Sequence, residues 1–398
     1  MLLACRYDTG EPVAIECREG RIAAVTAAEA PAAEPLPFVA PGLFDVQVNG
    51  YGGQEFSSPR LTPSTVVGIA RIQATFGVTR FCPTVTTAAF EVLSHALATI
   101  HTACRTSPET AGRIAGIHLE GPYLSMENGP RGAHPREHCR DPDFAEFQEL
   151  QFAAGGRIRL LTLAPELDGA VEFIRRVAAT GVVVAIGHTA ADGAAIRAAV
   201  DAGARLSTHL GNGAHLLLPR HPNYLWDQLA EDRLWASLIV DGHHLPPEVV
   251  KTFIRAKTPE RCLLVSDLSG MAGHPAGRHE GQLCDLEVLD DGRLVVAGQR
   301  ELLAGAAAPV TAGIANAMHF AGVDLSTAVA MATERPAALL GLPIARLAPG
   351  EPADLVLFRI VPPADQEETP TFEVLQTLVA GAVAWPAGGE QGATAHPP

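Results

Sequence analysis

The sequence lacks any apolar run of about 18 residues, so we expect no membrane-spanning helix and no membrane partner. Its N-terminus lacks a basic segment followed by a long apolar stretch, so we expect no secretory signal peptide. The seven cysteines are scattered along the chain without a CxxC pair. This distribution favours reduced thiols in a cytoplasmic protein over a disulfide framework.

Basic residues are also scarce. Lys and Arg number 29 against 44 Asp and Glu, which gives a formal net charge of −15. Proteins that bind along a polyanion are usually basic, so we expect no nucleic-acid partner. A small anionic ligand remains compatible with this charge, because one or two Arg or His side chains can hold a phosphate. The sequence has no P-loop, dinucleotide-binding fingerprint or GxSxG motif, so none of these sites is predicted.

Short apolar segments recur along the middle of the chain and alternate with segments of helical spacing. Repeated strand–helix alternation predicts a parallel sheet built from right-handed crossovers, and eight strands are the number that closes a (β/α)8 barrel. An open, doubly wound sheet is the alternative. The predicted strands are 43–48, 78–82, 113–118, 158–163, 182–187, 204–208, 237–241 and 262–267, and the clearest helices are 64–76, 88–104, 168–180, 192–202 and 246–257.

The two ends of the chain have a different pattern. Residues 1–40 and 344–398 contain short stretches of alternating apolar and polar residues, separated by Gly and Pro. This pattern predicts a small β-sandwich domain that both ends form together, next to a barrel over residues 41–343. We expect the tail from about residue 386 to be disordered.

Residues that can bind a metal directly follow several of the predicted strands, where barrel enzymes carry their active sites. Glu120 follows the third strand, His188 the fifth and His209 the sixth. One carboxylate and two imidazoles from different strands can form a catalytic metal site with an open position for water. Asp267 ends the eighth strand, where it can take a proton from that water and return it to a leaving group.

Each of these residues also has a simpler interpretation when it is considered alone. A single His at a strand end is commonly a core or surface residue. Asp267 could cap a following helix. His118, in the third strand, could pack in the core or support a metal ligand.

An ordered set of motifs resembles the N-acetylglucosamine-6-phosphate deacetylase family of the amidohydrolase superfamily. The motifs cover most of the barrel in family order: PGLFDVQVNGYGG from Pro41, then GVTRFCPTVTT, GIHLEGPYL, NGPRGAHP, TLAPE, GHTAADGAAIRAAVDAGARLSTHLGNGAH, IVDGHHLPPEVVK and LLVSD. The resemblance implies a distorted barrel with a β-sandwich formed by both termini, and a homodimer. It also implies hydrolysis of N-acetylglucosamine 6-phosphate to glucosamine 6-phosphate and acetate.

The resemblance assigns roles to individual residues. Metal ligation falls to Glu120, His188 and His209, with a metal-bound water as the nucleophile. Asp267 is the implied general base and acid, and His134 is implied to polarise the acetyl carbonyl.

Further matching positions concern the amino-sugar phosphate. Asn212, the backbone of Gly213, and Arg220 match phosphate-binding positions, with Arg220 reaching across a dimer interface. His244 matches a residue that contacts a sugar hydroxyl. The substrate-binding residues that the resemblance implies are Ala133, Asn212, Gly213, Arg220, His244, Ala304, Gly305 and Ala306, the last three in the loop that closes over the sugar.

The expected metal content is one divalent ion per active site. Two-metal members of the superfamily carry HxH after the first strand and a modified Lys after the fourth, whereas this chain has Gln47-Val48-Asn49 and Ala164-Pro165-Glu166. Zn²⁺ is the first choice and Fe²⁺ the second, because nitrogen and oxygen ligands suit both.

The chain departs from the family pattern around Asn212, which lies between Gly211 and Gly213, and in LAGA, which lacks both serines of the closing loop. Another N-acetylated amino sugar or an N-acyl amino acid therefore remains an alternative substrate. A barrel that binds a sugar phosphate without catalysis is a further alternative.

Overall fold

The computed structural model describes residues 1–30, 35–280, 285–365 and 368–386. Four strands come first. In β2, buried and less buried residues alternate, because successive side chains of a strand point to opposite faces. These strands are β1 (Leu2–Arg6), β2 (Pro12–Arg18), β3 (Arg21–Ala27) and β4 (Phe38–Pro41).

A parallel eight-stranded sheet forms the centre of the molecule. Several of its strands are buried along their whole length, as expected for strands covered on both faces. In chain order the next strands are β5 (Leu43–Val48), the short hairpin strands β6 (Gly50–Tyr51) and β7 (Gln54–Glu55), β8 (Val78–Thr86), β9 (Ile117–Glu120), β10 (Ile158–Leu163), β11 (Val183–Ile186), β12 (Ala204–Ser207), β13 (Trp235–Ile239) and β14 (Cys262–Val265).

The sheet order is β5-β8-β9-β10-β11-β12-β13-β14, and the first and last strands meet. Val48 pairs with Leu268 in a parallel bridge, and the N–H of Asp267 donates to the carbonyl of Gln47 at 3.0 Å. The barrel prediction is therefore confirmed, and the open doubly wound sheet is wrong. All carboxyl ends of the barrel strands face one side, where the site residues gather.

Helices surround the barrel and cover its outer face. In the fifth helix, Ala170, Phe173, Ile174 and Val177 are buried at the spacing of one helix face. The helices are α1 (Pro63–Ile72), α2 (Phe90–Thr106), α3 (Pro108–Arg113), α4 (Phe144–Ala153), α5 (Ala170–Ala179), α6 (Gly193–Ala202), α7 (Tyr224–Ala230), α8 (Pro247–Lys257), α9 (Val310–Ala321), α10 (Leu325–Met331) and α11 (Glu334–Leu339), with short 3₁₀ helices at Gln73–Phe76, Arg136–His138 and Pro259–Arg261.

The third predicted strand was placed too early. Residues 108–113 form α3, because Ser107 caps it by accepting from the N–H of Thr110 and Pro108 stands at its first position. The strand itself is β9, Ile117–Glu120.

A small antiparallel sheet that the sequence pattern did not predict lies between β14 and α9. Its strands are β15 (Gly277–His279), β16 (Leu286–Val288), β17 (Leu294–Val296) and β18 (Gln299–Leu303), paired in that order. Leu286, Leu302 and Leu303 of this sheet reach the cavity described below.

The last strands return to the first ones. They are β19 (Leu355–Val361), β20 (Thr371–Val379) and β21 (Ala382–Trp385), and the sheet order is β21-β20-β19-β4-β1-β2-β3. Both ends of the chain thus form one β unit beside the barrel, while its exact limits stay a prediction. The predicted disordered tail falls, apart from its first residue, on 387–398, outside the described residues. No helix in the described part of the chain is long and apolar enough to cross a membrane.

Candidate metal and active site

A cavity of about 500 Å³ opens at the carboxyl ends of the barrel strands. Every site residue predicted from the sequence lines this cavity except Arg220 and Ala306. Elements far apart in the chain supply its walls, so the barrel fold brings these residues together.

The three predicted metal ligands converge on one point. His209 Nε2 lies 3.0 Å from Glu120 Oε1, and His188 Nε2 lies 3.2 Å from the same oxygen. The two Nε2 atoms are 3.0 Å apart. All three side chains are buried. A tetrahedral ion with ligand bonds near 2.0–2.1 Å separates its ligand atoms by about 3.3 Å, which is close to this spacing.

The tautomer of His188 also fits a metal ligand. Its Nδ1 lies 2.9 Å from the carbonyl oxygen of Pro130, so Nδ1 carries the proton and donates it. Nε2 then has a free lone pair that faces Glu120. Metal-binding histidines are commonly oriented by such a hydrogen bond to a backbone carbonyl.

His134 lies beside the same cluster, on the loop that follows β9. Its Nε2 is 3.2 Å from His188 Nε2, and ligand atoms of Glu120, His134 and His188 all lie within 4.8 Å of one another. Burial, together with the nearby His188, lowers the pKa of His134 to about 3. His134 is therefore a neutral imidazole at neutral pH.

Burial and close contacts shift the remaining ionisable groups. Burial opposes ionisation of Glu120, but its close contacts with His188 and His209 hold its pKa well below the usual range. Burial likewise opposes protonation of His209, but its contact with Glu120 raises the His209 pKa overall. Burial, and then the negative charge of Glu120, raises the pKa of Asp267 to about 6.

The backbone turns sharply at three of these residues. His188, His209 and Asp267 have φ values of 50°, 30° and 53°, in a region that residues other than glycine rarely adopt. Hydrogen bonds from neighbouring strands hold two of the turns: His209 N–H donates to Ser237 Oγ at 2.7 Å, and Asp267 N–H to the Gln47 carbonyl. Such strained positions cluster at functional sites.

Two amide side chains on β5 and directly after it hold Asp267. Asn49 Nδ2 donates to Asp267 Oδ1 at 2.8 Å, and Gln47 Nε2 donates to the same oxygen at 3.0 Å. Gln47 Nε2 also lies 3.2 and 3.3 Å from the two oxygens of Glu120. The sequence interpretation missed this role, since it considered Gln47 and Asn49 only as replacements for histidines. Their spacing of two residues, which places both side chains on one face of the strand, was the available signal.

A second carboxylate orients His244. Asp241 Oδ2 accepts from His244 Nδ1 at 2.7 Å, and Asp241 Oδ1 accepts the backbone N–H groups of His243 and His244. Burial opposes ionisation of Asp241, but the hydrogen bond from His244 outweighs it and lowers the Asp241 pKa to about 2. The sequence interpretation assigned no role to Asp241, although it stands three residues before His244.

A third carboxylate, also missed, fixes the loop after His188. Glu166 accepts hydrogen bonds from the Thr189 hydroxyl at 2.5 Å and from the Ala190 N–H at 2.6 Å.

His118 of β9 lies inside the barrel, where its Nε2 is 2.7 Å from Thr162 Oγ1.

Two predicted substrate residues lie outside the cavity. Arg220 is exposed, and its side chain has no hydrogen bond or ion pair within the described residues. Ala306 is 2% exposed, and its N–H donates to the carbonyl of Asp267 at 2.9 Å. Ala306 therefore supports the turn at Asp267, while Ala304 and Gly305 line the cavity.

Comparison with known proteins identifies the family. The family model described as "Amidohydrolase family" matches residues 38–384. The chain is 36% identical to bovine N-acetylglucosamine-6-phosphate deacetylase over 76% of this chain and 75% of the relative. It is 35% identical to the N-acetylgalactosamine-6-phosphate deacetylase of a Shewanella strain, over 79% of this chain and 77% of the relative.

Solved structures agree with this assignment. A variant of N-acetyl-D-glucosamine-6-phosphate deacetylase from Mycobacterium smegmatis, in complex with N-acetyl-D-glucosamine-6-phosphate, superposes with a TM-score of 0.84 at 32% identity. The superposition covers 96% of this chain and 99% of that chain. The Thermotoga maritima enzyme of the same name gives a TM-score of 0.81 at 26% identity, over 96% and 98% of the two chains. The chain therefore belongs to the amidohydrolase family and, within it, to the N-acetylglucosamine-6-phosphate deacetylases.

Proposed function

We propose that this chain hydrolyses the N-acetyl amide of N-acetylglucosamine 6-phosphate to glucosamine 6-phosphate and acetate. The observation that carries this proposal is the convergence of Glu120, His188 and His209 beside Asp267 in the cavity. The names of the relatives supply the substrate class.

One divalent ion per chain, Zn²⁺ or else Fe²⁺, is held by Glu120, His188 and His209. When bound, such an ion lowers the pKa of a coordinated water and polarises the acetyl carbonyl. The free lone pair on His188 Nε2 supports this assignment, because His188 carries its proton on Nδ1.

Asp267 is the general base and then the general acid. Its Oδ1 accepts from Asn49 and Gln47, and Oδ2 has no hydrogen bond within the described residues. Oδ2 is thus the oxygen that takes the proton of the attacking water and passes it to the departing nitrogen. A pKa of about 6 keeps Asp267 mostly ionised at neutral pH and still able to give the proton back.

His134 stabilises the charge that develops on the acetyl oxygen. With a pKa of about 3 it is neutral, and one of its ring nitrogens carries a proton that it can donate. A donor that is already in place when this charge forms lowers the activation free energy, because no group has to move during the reaction.

The sugar phosphate occupies the part of the cavity lined by Ala133, Asn212, Gly213 and His244, with Ala304 and Gly305 at the closing loop. Ala306, the next residue of that loop, bonds to the turn at Asp267. His244 presents its Nε2 to a sugar hydroxyl, because its Nδ1 is bound to Asp241. Asn212 and the backbone of Gly213 contact the phosphate.

Arg220 completes the phosphate site of a second subunit in a homodimer. It lies on the same segment as Leu216, Leu217 and Trp226, which are 71%, 92% and 50% exposed. Large apolar side chains exposed together favour a protein contact. Light scattering of the purified protein, with Leu217→Glu as the disrupting variant, tests the dimer.

We also propose a cytoplasmic location. Six cysteines of the described part are free thiols, and Cys284 lies outside the described residues. Free thiols persist in a reducing compartment. Fractionation of cells that express the intact chain tests this location.

N-acetylgalactosamine 6-phosphate is the second candidate substrate, because the Shewanella relative of that activity is nearly as similar as the bovine one. The deciding experiment measures acetate release from both sugar phosphates, from N-acetylglucosamine and from an N-acetyl amino acid, with and without a chelator. Chelator-sensitive release from N-acetylglucosamine 6-phosphate supports the proposal. Faster release from an unphosphorylated substrate, or none from any substrate by metal-loaded protein, contradicts it and favours another amidohydrolase activity or a binding protein.

A further inference from the structure

The wall of the cavity next to Asp267 contains a carboxyl group that neither the metal site nor the proposed proton transfers use. Glu55, at the end of β7, lines the cavity together with Asn49, Ser57 and Thr86. Within the described residues no hydrogen bond or ion pair reaches either oxygen of Glu55. The other carboxylates of this cavity, Glu120 and Asp267, both accept hydrogen bonds.

The backbone at Gly270 leaves space for the Glu55 side chain. A Cβ atom at Gly270 would lie 2.0 Å from Glu55 Cγ and 2.9 Å from Oε1, so a glycine is required there. The Gly270 carbonyl accepts the N–H of Gly53 at 2.7 Å, which ties the β6–β7 hairpin to the segment after Asp267. Glu55 is therefore held against a fixed backbone on one side and faces the cavity on the other.

Glu55 is half-buried. A polar group partly removed from water without a protein partner is costly, and ionisable groups in this condition are frequent at functional sites. Burial raises the pKa of Glu55 to about 7, in agreement with the absence of a protein partner. Ser57 and Thr86 do not satisfy it: their hydroxyls lie 2.9 Å from each other, and within the described residues neither has a hydrogen bond to Glu55. A ligand in the cavity is left as the partner of this carboxyl.

The position of Glu55 indicates which part of the ligand it meets. Glu55 pairs with Gly50 in the hairpin, and the N–H of Phe56 donates to the carbonyl of Asn49, whose side chain holds Asp267. Glu55 is thus next to the end of the cavity where the amide reacts. The proposed phosphate contacts follow β12, which is separated from β5 in the barrel by β13 and β14.

The chemistry of a carboxyl group narrows the choice further. An unpaired carboxylate repels a phosphate, whereas it accepts a short, strong hydrogen bond from a hydroxyl. The hydroxyls nearest the acetamido group of a hexosamine are those on the two flanking carbons, C1 and C3. We propose, resting on the proposed function, that Glu55 is a specificity-determining residue that hydrogen-bonds to one of these two ring hydroxyls.

The test compares wild type, Glu55→Gln and Glu55→Ala on N-acetylglucosamine 6-phosphate and on its 1-deoxy and 3-deoxy analogues. Glu109→Gln, an exposed carboxyl in α3, is the matched control. Wild type should prefer the parent over one analogue by about tenfold or more in kcat/KM, the range of a hydrogen bond to a charged group. For Glu55→Ala, kcat/KM on the parent should fall by about that factor. Its kcat/KM values for the parent and for that analogue should agree within about twofold.

Glu55→Gln should fall between wild type and Glu55→Ala, because its carbonyl oxygen still accepts from a hydroxyl. Thermal unfolding and metal content per chain are measured for every variant. Equal losses on all three substrates, or a preference that survives in Glu55→Ala, overturn the assignment. A lower metal content in Glu55→Ala also overturns it, since Glu55 would then be a metal ligand.

The two proposals fail in different ways. Absence of acetate release from every sugar phosphate by wild type overturns the proposed function and this inference together. Normal turnover by wild type with no discrimination between the parent and the deoxy sugars overturns the assignment of Glu55 alone.

Discussion

Asn49 Nδ2 and Asp267 Oδ1 are 2.8 Å apart, although 218 positions separate the two residues in the chain. The contact exists because β5 and β14 meet where the barrel closes, so residues at their carboxyl ends become neighbours. With Gln47 donating to the same oxygen, Asp267 has one carboxylate oxygen bound and the other without a hydrogen bond within the described residues. The closure of the barrel thus sets the orientation of the Asp267 carboxylate, the proposed base.

Replacing Asn49 tests this orientation. Asn49→Leu keeps the volume and removes the donor, so Asp267 loses part of its fixed geometry. We expect kcat to fall by about ten- to hundredfold, the range for a hydrogen bond to a charged group, with KM changed by less than about threefold. Steady-state kinetics of acetate release measure both constants. Asn223→Leu, at the half-buried N-cap of α7, is a control for loss of an asparagine that bonds to backbone groups. A large rise in KM at unchanged kcat would instead indicate that Asn49 binds substrate.

The strand ends could be predicted from the sequence because they depend on local pattern. Glu120, His188 and His209 each follow a buried apolar segment, and parallel barrel strands bring their carboxyl ends to one face. No detailed register is needed to predict that these three residues gather. Their distances of 3.0–3.2 Å could not be predicted, because they depend on side-chain conformations and on the turns at positive φ.

The supporting residues depend on relationships that the local pattern does not contain. Gln47 contacts Glu120 and Asp267 across the barrel, and that contact requires the register between distant strands. Glu55 was missed because it lies in a two-residue strand, which is too short for a periodic pattern. The sheet β15–β18 was missed for a related reason: three of its four strands have three residues.

Metal analysis of single His variants distinguishes two possible sets of metal ligands. Both contain Glu120 and His188, and the third ligand is either His209 or His134. If Glu120, His188 and His209 hold the ion, His188→Ala and His209→Ala should lose most of the bound metal and all measurable turnover. His134→Ala should keep about one ion per chain and lose about a hundredfold or more in kcat, because only the donor to the carbonyl is removed. Elemental analysis of desalted protein gives the metal content. His319→Ala, which changes an exposed histidine near the end of α9, is the control. If His209→Ala keeps the metal and His134→Ala loses it, the third ligand is His134 and not His209.

Arg220→Ala tests both the proposed phosphate contact and the proposed dimer. Removing its charge should raise KM for N-acetylglucosamine 6-phosphate by about tenfold or more, the worth of one charged contact, and leave kcat almost unchanged. Activity on unphosphorylated N-acetylglucosamine should not change. The exposed Arg105→Ala is the matched control. Mixed dimers that combine an Arg220→Ala subunit with an Asp267→Ala subunit test whether Arg220 acts across the interface. If it does, the only site with an intact Asp267 receives an intact Arg220 from the other subunit, and its KM should equal that of wild type. A mixed dimer whose single intact Asp267 site shows the high KM would place Arg220 in its own subunit's site.

The pair Asp241–His244 predicts a pH-dependent contribution to stability. The pKa of Asp241 is lowered from 3.8 to about 2 in the folded chain, so the folded state binds fewer protons than the unfolded state in this range. The stabilisation is therefore complete above pH 3.8 and declines as the pH falls towards 2. This shift corresponds to about 2 kcal/mol. Denaturant unfolding of metal-free wild type and Asp241→Asn should show the largest difference near pH 6 and a smaller one below pH 3. Because Asp241→Asn also frees His244, KM for the sugar phosphate should rise at pH 7 while metal content stays unchanged. A stability difference that does not shrink with acidity would mean that Asp241 acts through packing, and not through its charge.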